Sequence, residues 1–168
     1  MGTRVTPFEV KDPGLLTNPK LGYDNLHEST KEMLLWLCDF TRRNGFSRPV
    51  VTEFGRTRED MIRLYVPTYM QEAQQEGVSN PYQYALAKAQ NRFSWHCVPV
   101  ENWQVGKIRA FDIREWSYSP KVQLAIYDAA CSAYPASQYE VLLHVVPGGA
   151  KHFHFASKDP NGRPENWL

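Results

Sequence analysis

Apolar residues recur at helical spacing over Met33, Trp36, Leu37 and Phe40, the i, i+3, i+4, i+7 rhythm that lines one face of an α-helix. Just upstream, Ser29-Thr30-Lys31-Glu32 has the form of a capping box, with Ser29 as the cap and Glu32 reaching back to it. Gly45 supplies the stop, because glycine readily takes the left-handed conformation that ends helices. A second helix is predicted from Thr57 and Asp60 through Leu64 and Tyr65, stopped or kinked at Pro67. A third opens at Ser79-Asn80-Pro81, where a polar cap is followed by a proline in the first turn. A fourth opens at Ser119-Pro120 and places Val122, Ala125, Ile126 and Ala129 on one face.

Between these stretches the pattern changes to short β-branched or alternating runs. RPVVTEF (48–54), FSWHCVPV (93–100), KIRAFDIR (107–114), YEVLLHVV (139–146) and KHFHFAS (151–157) all read as strands. The last two are joined by Pro-Gly-Gly-Ala, a hairpin signal. Helices and strands come in blocks rather than in strict alternation, which predicts an α+β fold with a mainly antiparallel sheet and flanking helices. Residues 1–27 lack a clear period and read as an extended N-terminal arm. Residues 28–157 form the domain, and the turn-rich tail 158–168 reads as irregular.

Bulk properties narrow the function. A chain of 168 residues fits one domain and buries enough surface to need no disulfide. Its net charge of +1 gives no electrostatic footprint for nucleic acid or an anionic membrane, so neither is expected as a partner. No apolar run approaches the length of a membrane span, so no membrane insertion is expected. The N-terminus lacks the apolar core of a secretory signal, so the expected location is the cytoplasm of the producing cell. Three cysteines without a Cys-x-x-Cys pair read as free thiols. Cys38 and Cys131 fall in amphipathic patterns and are expected in the core. Cys97 alternates away from His96 and is expected there too.

The chemistry lies in the histidines. Side chains alternate on a strand, so His152 and His154 share one face while Phe153 and Phe155 point into apolar packing. A hairpin closing at Pro147–Gly149 sets His144 opposite His152 and diagonal to His154. His96 and Asp112, on neighbouring predicted strands, can meet the His154 face. A His/Asp/His set supplies three ligands and leaves a fourth position open, the coordination of a catalytic rather than a structural zinc.

The order Ser94-x-His96, then Gly106-x-x-x-Ala110-x-Asp112, then His152-x-His154 resembles the pattern of the LAS-type zinc peptidases. These comprise D-Ala-D-Ala carboxypeptidases, L-Ala-D-Glu endopeptidases of phage lysins and the hedgehog signalling domain. The ending His144, Gly148-Gly149, His152-x-His154 is also similar to small phage proteins. The resemblance covers roughly residues 28–157. It implies a hedgehog/DD-peptidase-like fold and Zn2+ held by His96, Asp112 and His154. It further implies that His152 stabilises the transition state, and that Arg56, with Ser94 beside the site, binds substrate. The implied substrate is a peptidoglycan stem peptide or another short peptide. The implied source is a phage, with the protein released at lysis or carried in a virion.

Two departures from that pattern bear on activity. His96 and Asp112 are sixteen positions apart where the family has seven, so Val98–Gly106 forms an insertion. The glutamate that usually precedes the last histidine as general base is missing, because Pro147–Lys151 contains no acid. His144 is the expected substitute and Glu101 the alternative base. Without either, the fold serves as a non-catalytic zinc-binding module, a virion component or a binding protein. Bland roles stand beside the chemical ones. Asp112 can pair with Arg109 or Arg114, and Arg56 with Glu59 or Asp60. Trp95, Trp103 and Trp116 can pack in the core or wall a ligand site. His27 falls in a loop without an assigned role.

Overall fold

A computed structural model of the chain describes residues 7–97, 108–144 and 151–160. Its elements run β1 (Glu9–Val10), α1 (Gly14–Thr17), a 3-10 turn (Tyr23–Asn25), α2 (Glu28–Arg43), β2 (Val50–Glu53), α3 (Arg58–Gln75) and α4 (Pro81–Asn91). They continue with β3 (Ala110–Arg114), α5 (Pro120–Ala133), β4 (Tyr139–His144) and β5 (His152–Ser157). The strands make one five-stranded sheet in the order β1-β2-β3-β5-β4. β1 runs parallel to β2 and the remaining pairings are antiparallel, so the fold is α+β with a mixed sheet.

Strand alternation gives the sheet two unlike faces. Phe111 and Ile113 on β3, Phe153 and Phe155 on β5 and Val141 on β4 all enter one apolar core. Phe111 and Phe155 are register partners, and their rings stack with centroids 5.0 Å apart. Met33, Leu34, Leu37 and Cys38 of α2 pack against this face, with Ile126 and Ala130 of α5. Full burial of each large apolar side chain contributes about 1.5–3 kcal/mol, so this layer holds the sheet to its helices. The opposite face carries Asp112 and Arg114, His152 and His154, and Glu140 and Leu142 at the alternate positions. The core thus fixes which residues are left to form a polar site.

The helix ends follow the sequence closely at three of four starts. Thr57 accepts from the Asp60 amide at 3.0 Å, and Asn80 and Ser119 cap α4 and α5, each followed by a proline. Gly45, with φ of 69°, follows the end of α2. The start of α2 differs. His27 is the cap, its Nδ1 accepting from the Ser29 amide at 3.2 Å, and the helix begins at Glu28. The Ser29 hydroxyl instead donates to Ser157 Oγ at 2.8 Å, tying the first turn of α2 to the end of β5. Phe8 and Leu26 of the N-terminal segment belong to the main core, where the sequence pattern had shown only an arm.

Four further expectations are corrected. Of the stop or kink expected at Pro67 the stop is excluded, because α3 runs through it to Gln75. Bonds to α4 on the far side of the proline, from Tyr84 to Glu72 at 3.0 Å and from Arg92 to Tyr69 at 2.9 Å, hold the continuation in place. On α5 Ile126 is buried as expected, but the other buried positions are Gln123 and Ala130, with Val122, Ala125 and Ala129 half-buried. Gln123 can be buried because its amide donates to the Glu115 and Tyr118 carbonyls. Cys131, one step past Ala130, is rotated off that stripe and exposed. The described part of the strand expected at 93–100 is a turn, closed by the Cys97 amide donating to the Ser94 carbonyl at 3.0 Å. Among the described residues, no helix is long and apolar enough to cross a membrane.

Candidate metal centre

Three elements bring the chemistry together. Asp112 lies mid-strand on β3, directly opposite His154 on β5, so their side chains leave the sheet on the same face. His96 is delivered from outside the sheet by the turn after α4. Its carbonyl accepts from the Arg56 amide at 2.9 Å, and the Trp95 carbonyl accepts from the Arg109 amide at 3.1 Å. The Ser94 hydroxyl accepts from the His96 amide at 3.3 Å, so Ser94 shapes the turn that presents the imidazole. Cys97 turns away into a small buried cluster with Met61, as strand alternation had led one to expect, although the segment is a turn.

The resulting geometry is a near-equilateral triangle of ligand atoms. His96 Nε2 lies 3.1 Å from Asp112 Oδ1, His154 Nδ1 lies 3.0 Å from the same oxygen, and the two ring nitrogens are 3.1 Å apart. All three residues are buried. The outer nitrogens explain the orientation. His96 Nδ1 lies 2.6 Å from the Phe54 carbonyl oxygen, which can only accept, so Nδ1 carries the proton. His154 Nε2 lies 3.1 Å from Glu140 Oε1, and an ionised carboxylate likewise accepts. A neutral ring protonated outside presents a lone pair inside. Two imidazole lone pairs and a carboxylate oxygen therefore converge.

Converging lone pairs in a buried place repel unless a cation sits among them. A proton can neutralise one edge of the triangle, whereas a metal ion neutralises all three. Four-coordinate zinc with bonds of about 2.0–2.1 Å sets its ligand atoms about 3.3–3.4 Å apart, within a few tenths of an ångström of the edges here. The donor set fits, and the His96–Asp112–His154 group could hold a metal ion. Charge in the metal-free protein follows the same logic. Burial opposes ionisation of Asp112, yet the imidazoles of His96 and His154 hold its carboxyl well below the usual range. Burial pushes His154 down, but its bonds to Asp112 and Glu140 prevail and raise it to about 9.

The remaining predicted residues fall at different distances from this centre. His152 Nε2 approaches the other carboxylate oxygen, Asp112 Oδ2, at 3.4 Å, and its side chain is 22% exposed. His144 is the register partner of His152, the pairing anticipated from the hairpin. Glu101, Trp103 and the rest of the insertion lie outside the described residues. Arg56 is paired with neither Glu59 nor Asp60. Glu53 grips it bidentately, with Nε donating to Oε1 at 2.7 Å and Nη2 to Oε2. Arg109 reaches toward Asp159 and Arg114 stacks its guanidinium 3.8 Å from the Trp116 ring, so neither takes Asp112 from the histidines. Trp95 and Phe93 pack in a T-shaped pair, and Trp116 is largely exposed.

Two participants had not been anticipated. The Phe54 carbonyl is a backbone group that no residue pattern identifies. Glu140 had a faint signal, since it alternates with Leu142 and His144 on β4 and therefore faces the site. Comparisons of the chain with protein-family models, with curated proteins and with solved structures returned no match.

Proposed function

We propose that the protein is a zinc-dependent peptidase acting on short peptides of the bacterial cell wall, encoded by a phage. The observation that carries the metal half of this reading is the pair of outer hydrogen bonds, Phe54 to His96 and Glu140 to His154. They turn two ring nitrogens toward the Asp112 carboxylate. Two imidazoles and one carboxylate suit zinc and leave a coordination position for a substrate or water. Zinc bound there would polarise a peptide carbonyl and bring the pKa of a water to about 7. The peptide half of the reading is supported by the order of Ser94, His96, Asp112, His152 and His154 along the chain.

Within this reading each residue has a task. His96, Asp112 and His154 hold the ion. His152, whose Nε2 lies 3.4 Å from the second carboxylate oxygen of Asp112 and whose side chain is partly open to solvent, is the residue this reading gives to transition-state stabilisation. His144, opposite it in register, is the expected general base on the adjacent strand. A second reading, a non-catalytic zinc module of the same site, is favoured by one observation. The guanidinium of Arg56, which the peptidase reading assigns to substrate, is already engaged by Glu53. Digestion of purified peptidoglycan by the zinc-loaded protein, with mass analysis of released fragments, separates the two. Cleavage that disappears in His154→Ala supports the peptidase. Zinc binding without cleavage supports the module.

A further inference from the structure

We infer that Glu140 is a positioning residue for the metal centre, acting through His154 to hold Nδ1 as the ligand atom. The inference rests on the metal-site reading and extends it to a residue outside the ligand triangle. Glu140 sits on β4, two residues from Leu142, which is the register partner of His154. Its carboxylate reaches diagonally across the face to His154 Nε2 at 3.1 Å. The distance decides the tautomer. A carboxylate has no proton to give, so Nε2 must carry one. The other neutral tautomer would face a nitrogen lone pair to the carboxylate at that separation. It would also put a proton on Nδ1, leaving that nitrogen no lone pair to offer an ion between His96 Nε2 and Asp112 Oδ1. The first disfavours this tautomer, and the second makes it unable to bind metal. Carboxylates placed this way on metal-bound imidazoles also raise the basicity of the ligand nitrogen, and their loss typically weakens metal binding 10–100-fold.

The group that orients His96 is the backbone carbonyl of Phe54, which substitution does not remove, whereas the Glu140 side chain can be removed. Its side chain is 34% exposed, so it can be replaced at little cost to the core. The experiment measures Zn2+ affinity of the full chain by competition with a chromogenic chelator, and the visible absorption of the Co2+-substituted protein. Wild type, Glu140→Ala, Glu140→Gln and His154→Ala are compared, with metal-free thermal unfolding as the folding control. Glu140→Ala should bind about 10–100-fold more weakly and shift the Co2+ bands. Glu140→Gln keeps an acceptor oxygen and should recover most of the affinity. Unchanged affinity and an unchanged Co2+ spectrum in Glu140→Ala would overturn the inference while leaving the metal site standing. Equal losses in the alanine and glutamine variants would overturn the tautomer argument. Wild type and His154→Ala binding zinc equally would remove the site itself, and the role of Glu140 with it.

Discussion

Replacing Arg56 with alanine tests whether this guanidinium serves the fold or a ligand. Its side chain is only 12% exposed and that of Glu53 is 27% exposed. Two charge-assisted hydrogen bonds join them, and a third donor nitrogen, Nη1, meets Met61 Sδ at 3.4 Å. A hydrogen bond to a charged group contributes about 1.5–3 kcal/mol. Removing one partner of a fully buried pair costs about 3–5 kcal/mol. The two bonds here share one pair of charges, and Glu53 can partly rehydrate, which lowers the figure. Loss of the Nη1 contact with Met61 Sδ raises it again. About 2–4 kcal/mol is therefore expected. In a domain of this size each kcal/mol shifts Tm by about 2–4 °C, so Arg56→Ala should melt about 5–15 °C lower. Thermal unfolding followed by circular dichroism reads this directly. Arg56→Lys, which keeps the charge but not the fork, should lose part of it. A Tm within about 2 °C of wild type in Arg56→Ala would refute the structural role. It would return Arg56 to the substrate role implied by the resemblance.

Other expectations can be checked together. His154 of the metal-free protein has its pKa raised from 6.5 to about 9, so its contribution to stability is fully present below pH 6.5 and lost as pH rises through 9. Urea unfolding of metal-stripped protein should therefore weaken over that window, and a profile that stays flat there would contradict the assignment. Cys38 and Cys97 are both buried with thiols pushed up to about 12, whereas Cys131 is exposed. A thiol reagent should thus find one fast equivalent in the native protein and three after denaturation, and three fast equivalents at the outset would show that α2 and the Met61 cluster are open.

What the residue pattern could and could not reveal follows from the physics of each element. The period of two on β5 separates His152 and His154 from Phe153 and Phe155 on sequence alone. The length of the hairpin connection sets His144 opposite His152. Caps at Thr57, Asn80 and Ser119 were legible because the signal is local, a side-chain oxygen within three residues of the amide it accepts from. Long-range partners were not. His27 caps α2 in place of Ser29, whose hydroxyl turns to Ser157, 128 positions away. His96 reaches the triangle on a turn held by Arg56 and Arg109, so strand alternation was the wrong geometry for it although the right face resulted. Pro67 is tolerated through contacts with α4, which outweigh a local rule. Glu53 rather than a neighbour on α3 takes Arg56, because β2 and the following turn fold the two side chains together.

The metal content of the purified chain bears most directly on the centre built from His96, Asp112 and His154. Elemental analysis of wild type, His96→Ala and His154→Ala, each equilibrated with zinc and dialysed alike, is the measurement. About one zinc per chain is expected in the wild type and little in either variant, since each removes one edge-forming atom of a three-ligand site. Equal zinc in all three proteins, or none in the wild type, would contradict the metal centre.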